Sequence, residues 1–472
     1  MHYRFLWFGL LMTLLFGCVA MPEHPGSGRV AAMRVGGVEP IVLRVEGGPI
    51  DEPTEAVGVL TLESVLRDAL HLDPRIQSAL AGVDVAYAQS RQTRLLPNPV
   101  LSLVLKYPES GGSQVIEAGL TGDLLSLLQM RGRSRASDAR LRAASAEVVS
   151  VVLDVVHEAQ QTYVEIQALD AQYQLLQERL VLVGRLEEIA AARLEAGEAG
   201  RLELVSFKAE RIAIEAERDA LLLDRRTQRL RLSRQIGRPR GDANWVLDVW
   251  QDPAHQSVDE GPWIQVALEH RPEIQKMIWE LAAMGEDARL ARWSFLDAAE
   301  AGLDAERDSG EWSLGPGVSS ALPIFDWGQA SRAGANAEVI RVRHDLVQAQ
   351  REAIEDVRRS SANFNESVHE LKRAREQLLP LQRERRDLVE SAYQAGQTDV
   401  TDLILADQDL ADTRGQIVDL EKRVTLALIA LHRAVGGRSI AAELTEQDPG
   451  ATSKEAAPIA RPEDTFNTGS PE

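Results

Sequence analysis

Leu70-His71-Leu72-Asp73-Pro74-Arg75-Ile76 returns 198 positions later as Leu268-Glu269-His270-Arg271-Pro272-Glu273-Ile274. Ala196-Gly197-Glu198 returns as Ala395-Gly396-Gln397, Glu203-Leu204-Val205 as Asp402-Leu403-Ile404, and Ile236-Gly237 as Val435-Gly436, each 199 positions on. Gly132, ahead of the first long helical stretch, matches Gly328 ahead of the second at an offset of 196. Landmarks that recur in one order at nearly one offset mark an internal duplication, so the fold spelled by one copy is repeated by the other.

Thr61 is placed to cap a helix carrying Val65, Leu66, Ala69 and Leu70 at helical spacing. A second helix resumes after Asp73-Pro74 through Ile76, Leu80, Val83 and Tyr87, and Pro97 and Pro99 end it. Val100 to Tyr107 reads as a strand, 108–113 as a turn and Gln114 to Leu120 as a second strand. From about Arg133 to Leu194 no proline intervenes, and Leu176, Leu180, Val183, Leu186, Ala190 and Leu194 form one apolar stripe. Roughly sixty helical residues make a rod of about 90 Å, far longer than an ordinary globular helix. The chain breaks at Gly197 and Gly200, and a helix returns from Leu202 to Ile236. Phe207, Ile214 and Leu221 are spaced by seven, as are Leu403, Leu410, Ile417, Val424 and Leu431, which predicts coiled-coil-like packing between neighbouring helices. The strand signal is weaker in the second copy, where 298–305 contains Glu300 and Asp304. Trp293 and Trp312 suit either interfacial anchors or buried aromatics.

These landmarks divide the chain into a signal peptide (1–17), a lipid-anchored extended leader (18–58), a first repeat (59–237), a linker (238–262), a second repeat (263–437) and a disordered tail (438–472). Arg4 precedes an apolar run from Phe5 to Phe16, too short to span a bilayer as a helix and suited to a secretory signal. Leu15-Phe16-Gly17-Cys18 has the form of a bacterial lipobox, and Cys18 is the only cysteine in the chain, so it is read as the acylation site, with palmitate among the acyl groups. Acyl chains bury roughly 0.8 kcal/mol per methylene, so two or three anchor a protein durably. Val19 is not aspartate, which in such lipoproteins implies sorting onward to the outer membrane.

Beyond the duplication, Leu62-Glu63, then Ala69-Leu70 and Asp73-Pro74-Arg75-Ile76, resemble the opening of the TolC-like outer-membrane efflux family. Leu322-Pro323-Ile324-Phe325-Asp326-Trp327-Gly328-Gln329 is similar to the family's Pro-Leu-Phe-Asp-x-Gly turn into the second long helix. Tyr393-Gln394-Ala395-Gly396, followed by Asp402-Leu403-Ile404, resembles its second hairpin tip. The resemblance covers about residues 60–437. It implies a mainly α fold with a small β part: long antiparallel coiled-coil-like helices forming an α-barrel, and four strands per protomer in a twelve-stranded, homotrimeric β-barrel. It also implies an outer-membrane exit duct, extending into the periplasm, that serves a periplasmic adaptor (membrane fusion) protein and an inner-membrane efflux transporter. Gly197, Gly200, Arg201, Gly396 and Thr398 would form the periplasmic tip that meets the adaptor. Glu203 and Asp402 match gate acids that ring the mouth, although acids also suit any solvated helix start. The family's further acid one turn on is Leu405 here. A basic latch residue of the second turn is Thr398, with Arg201 as a substitute.

Competing classes find less support. The net charge of −20 lacks the basic stripe of a nucleic-acid partner. No HExxH, phosphate-cradling glycine loop or GxSxG elbow points to metal, cofactor or enzyme chemistry. The other reading that stays open is a lipid-anchored periplasmic coiled-coil scaffold of the same fold that conducts nothing.

Overall fold

The computed structural model describes residues 25–36, 39–44, 59–107, 114–197, 200–250, 257–296, 299–308 and 311–437. The signal peptide, Cys18 and the tail lie outside the described residues. The first described element is helix α1 (Ser27–Arg34), followed by the two-residue strand β1 (Val59–Leu60), α2 (Leu62–Leu72) and α3 (Pro74–Gln92). Strands β2 (Val100–Lys106) and β3 (Val115–Asp123) lead into α4 (Leu124–Glu195), and α5 (Arg201–Gln235) returns along it. After the short β4 (Val246–Leu247), the second copy repeats the plan with α6 (Glu260–His270), α7 (Pro272–Leu290), β5 (Glu300–Asp308), β6 (Glu311–Ser319), α8 (Gln329–Arg373), α9 (Leu379–Gln394) and α10 (Val400–Ala434).

The duplicated landmarks carry duplicated physics. Thr61 accepts a hydrogen bond from Ser64 N–H at 3.2 Å, capping α2. Asp73 and Arg271 stand before the prolines that open α3 and α7, where a missing N–H has no helical partner to lose. Gly197, Gly237, Gly396 and Gly436 all have positive φ at helix ends. At Gly396 the following Gln397 N–H reaches back to Ala392 C=O at 2.8 Å, the hydrogen bond that closes a helix in the left-handed cap.

The ion pairs at the two proline turns mirror one another with reversed sequence order. Arg75 bridges Asp73 at 2.9 Å and Glu158 of α4 at 3.0 Å. Arg271 bridges Glu273 at 3.1 Å and Asp356 of α8 at 2.7 Å. Arg433, near the end of α10, joins the copies by pairing with Asp154 of α4 at 2.8 Å and with Glu273 of α7.

All the heptad positions read from sequence are inside except Leu221, which is half-buried. Leu403, Leu410, Ile417, Val424 and Leu431 are buried along α10, as are Phe207 and Ile214 on α5. The largest core gathers α1 to α5 around Ile76, Val148, Val152, Ile166 and Leu232. Smaller cores follow the helices toward the turns.

Several expectations are corrected. The leader is not wholly extended: α1 packs Ala31 and Ala32 into the first core, because small side chains let the helix lie close, and a Cβ on Gly28 would strike the Ile41 carbonyl. The first long helix begins at Leu124, capped by Asp123, and runs through Gly132 for 72 residues, roughly 110 Å. Gly132 is therefore a contact point, where a Cβ would collide with Leu290 of α7, while Gly328 does precede its helix with φ 73°. The second long helix is interrupted: Ala374–Leu378 is π-helical ahead of Pro380, whose ring and missing N–H cannot continue the α pattern. Among the described residues no helix is long and apolar enough to cross a membrane.

Candidate functional site

Two regions at opposite ends of the long helices hold the candidate residues. The first is the sheet. Its order is β2-β3-β5-β6, all antiparallel, with Leu101 opposite Leu120, Leu120 opposite Leu303 and Leu303 opposite Pro316. Side chains alternate across a strand, so the register sorts residues into two faces. One face carries Leu101, Leu103, Leu105, Ile116, Ala118, Leu120, Ala301, Leu303, Ala305, Leu314, Pro316 and Val318, with Arg307 its only charge, lying 5.8 Å over the Trp312 ring. The other carries Ser102, Lys106, Glu117, Gly119, Asp304, Glu306 and Ser313, with Lys106 paired to Glu117. The weak strand is thereby explained: Glu300 and Asp304 fall on the polar face, and Ala301, Leu303 and Ala305 on the apolar one. Trp293 and Trp312 are exposed, which overturns the reading of them as buried aromatics.

The second region is the pair of hairpin turns. Leu176, Val183 and Ala190 of α4, Phe207 and Ile214 of α5 and Val400 of α10 form one buried cluster, so the hairpins of the two copies pack together here. Beside it, Arg193 Nη1 donates to Glu203 Oε1 at 3.1 Å and to the Tyr393 hydroxyl at 2.9 Å. The Tyr393 hydroxyl donates in turn to Glu203, and the Arg193 guanidinium lies 5.5 Å from the Tyr393 ring centroid. Burial, reinforced by the bond to Glu203, pushes the Tyr393 hydroxyl up to about 12. Gln408 Nε2 adds a second tie between hairpins, to Glu210 at 2.9 Å.

The candidate residues thus separate. Glu203 is enclosed by Arg193 and Tyr393, whereas Asp402 stands exposed in the first turn of α10 and accepts from Thr398. Arg201 is exposed as the first residue of α5, and Gly197, Gly200 and Gly396 border the turns. Tyr393 belongs to the tip motif read from sequence, but Arg193 and its contact with Tyr393 are not legible there, because their meeting spans 200 positions and depends on how the hairpins pack. Among the described residues no group of three or more histidine, cysteine, aspartate or glutamate side chains is arranged to hold a metal.

The outer membrane efflux protein family model matches residues 65–238 and 263–437. No curated protein matches the chain by sequence. Among solved structures, the chain is similar to CusC, described in terms of folding and transmembrane channel formation, at 18% identity and TM-score 0.69 over 85% of this chain and 99% of that one. It is similar to the outer membrane protein VceC of Vibrio cholerae at 19% identity and TM-score 0.67, over 80% and 96% of the two chains. The open state of the MtrE outer membrane channel of Neisseria gonorrhoeae matches at 16% identity and TM-score 0.63, over 89% and 98%.

Proposed function

The chain belongs to the outer membrane efflux protein family and is an efflux exit duct, and from that premise we propose that three copies close into one channel. The observation that carries this reading is the two-faced sheet with open edges. Among the described residues β2 and β6 each present an unpaired backbone edge, and an open edge cannot lie in lipid. Four strands are too few for a barrel, and three copies supply twelve, wide enough to leave a lumen lined by the polar face. Exposed apolar residues spaced by seven run along α5 (Val205 and Ile212, Leu223 and Leu230), α8 (Ile340 and Val347) and α9 (Leu381 and Leu388). Such stripes suit a head-to-tail contact between copies, which closes into a ring.

In this arrangement the hairpin turns form the periplasmic mouth and meet an adaptor protein, which links the duct to an inner-membrane transporter. The Arg193–Glu203–Tyr393 set holds the mouth closed, and Asp402 provides a carboxylate per copy that favours cations at the narrow end. Cys18 carries the lipid anchor. Purified protein reconstituted in planar bilayers tests the core of the reading: trimers with single-channel conductance support it, and a folded protein that conducts nothing replaces it with a scaffold. Asp402→Ala lowers cation preference if the ring operates, and unchanged selectivity removes Asp402 from the gate. Cys18→Ser abolishes the acyl mass and the anchorage of the purified chain, and an unaltered mass refutes the anchor.

A further inference from the structure

The loop from β6 into α8 keeps its large apolar side chains outside. Leu322 is 79% exposed, Ile324 66%, Phe325 92% and Trp327 63%, and Trp293 is exposed in the adjoining 3-10 turn, Ala291–Leu296. The two segments touch, since a Cβ on Gly328 would meet Ser294 and Arg332 lies 5.7 Å over the Phe295 ring. Part of the loop's backbone is paired locally. Ile324 N–H donates to Leu322 C=O at 2.8 Å, Gly328 N–H to Asp326 Oδ1 at 2.8 Å, and Trp327 N–H to Gln329 Oε1 at 2.8 Å. Arg332 donates to Trp327 C=O at 2.9 Å. Each backbone group paired in this way lowers the cost of bringing the loop to the edge of an apolar medium.

The sheet leaves room for it. This step rests on the reading of β2, β3, β5 and β6 as part of a membrane barrel. On β6 the apolar face runs from Trp312 to Val318, six residues on. That is roughly 20 Å along the strand, and roughly 15 Å of membrane height at the usual barrel tilt, against an apolar band of about 25 Å. The exposed loop follows directly from the short end of this face. Trp312 and Tyr107 stand exposed at the opposite end of the sheet, so large aromatics bound the apolar face at both levels, as at a membrane's two interfaces. We infer that the Leu322–Trp327 loop, with Trp293, inserts into the boundary between headgroups and acyl chains of the periplasmic leaflet, supplying the height that the strands lack.

The test uses the full chain with Cys18→Ser, carrying one introduced cysteine and an environment-sensitive fluorophore, in phosphatidylcholine–phosphatidylglycerol vesicles. Phe325→Cys reports the loop and Leu314→Cys the apolar face of the sheet. Expected is loss of most of the emission at both positions with spin-labelled lipids, the shallow label acting more strongly at residue 325, and little quenching there by aqueous iodide. Lipid quenching at residue 314 but not at 325 overturns the inference and leaves the barrel intact. In that case iodide quenching at 325 places the loop in water, and protection from both quenchers places it against another copy. No lipid quenching at either position overturns the barrel reading and this inference together.

Discussion

The two hairpins share a plan and differ in continuity. In the first, α4 runs 72 residues without a proline and α5 returns for 35. In the second, the outgoing rod is cut into α8 and α9 by the π-helical turn before Pro380. Arg375 pairs with Glu421 and Arg386 with Asp407, so Pro380 lies level with Gly415 on α10, a position where a Cβ would meet nothing. A cleft of about 540 Å³ opens at the same level among α4, α5 and α10, lined by Leu176, Leu221, Gly415 and Leu420. One hairpin thus has an unbroken outgoing helix, and the other is interrupted by a π-helical turn level with a glycine of its returning helix. The difference teaches that duplication preserved the plan of the wall and not its helical continuity.

The largest effect that can break this contrast is a core truncation. Phe364→Ala, in the core shared by α8 and α10, is expected to destabilise by about 3–5 kcal/mol. In hydrogen exchange its loss of protection falls on α8–α10, and equal loosening of α4 and α5 contradicts the contrast. Phe207→Ala, at the tip cluster shared by both hairpins, loosens both.

Next is the tie between the copies. Arg433→Met leaves Glu273 partly buried without its main partner and costs about 3 kcal/mol in chemical denaturation. Burial alone would push the Glu273 carboxyl up, but the Arg433 charge and the hydrogen bonds from Arg433 and Ser150 outweigh it and hold it at about 2. A depressed carboxyl contributes stability above its ordinary 4.5 and loses it as pH falls toward about 2. The acid limb of the stability profile therefore steepens in that window, and less so in Arg433→Met.

Tyr393→Phe removes the hydroxyl that donates to Glu203 and is expected to cost about 1–2 kcal/mol at the tip. Single-channel conductance should rise, and unchanged conductance would detach this set from closure. The Tyr393 contribution is whole below the ordinary 10.0 and is lost as pH rises through about 12, so the tip loosens in alkali and the Phe variant does not follow.

Pro380→Ala restores a good helix former and is expected to stabilise α8–α9 by about 1 kcal/mol, slowing amide exchange at 374–378. Gly415→Ala is the smallest change, a gain of about 0.5–1 kcal/mol with no clash. If the pair together leaves channel opening unaltered, the interrupted section plays no part in it.

Much of this was legible from local chemistry. The Thr61 cap, the prolines at 74 and 272 and the glycine turns at 197 and 396 act through their own backbone, so each could be read where it stands. The heptads on α5 and α10 were legible because a seven-residue period has one physical use. Arg193 was not, since its partners Glu203 and Tyr393 are chosen by the packing of two hairpins. The strand β5 was misjudged because Glu300 and Asp304 look unfit for a membrane segment until pairing assigns them to the polar face.

By itself, then, the sequence determined the duplication, the antiparallel rods and their turns, because period, capping and backbone preference are local quantities, and its motifs carried the resemblance to efflux ducts. Tertiary structure alone decided the faces of the sheet, the enclosure of Glu203, the exposure of the 322–327 loop and the position of Pro380 opposite Gly415. Each of these depends on which distant segment lies alongside, and in a chain of long rods that is settled by register between helices and between strands.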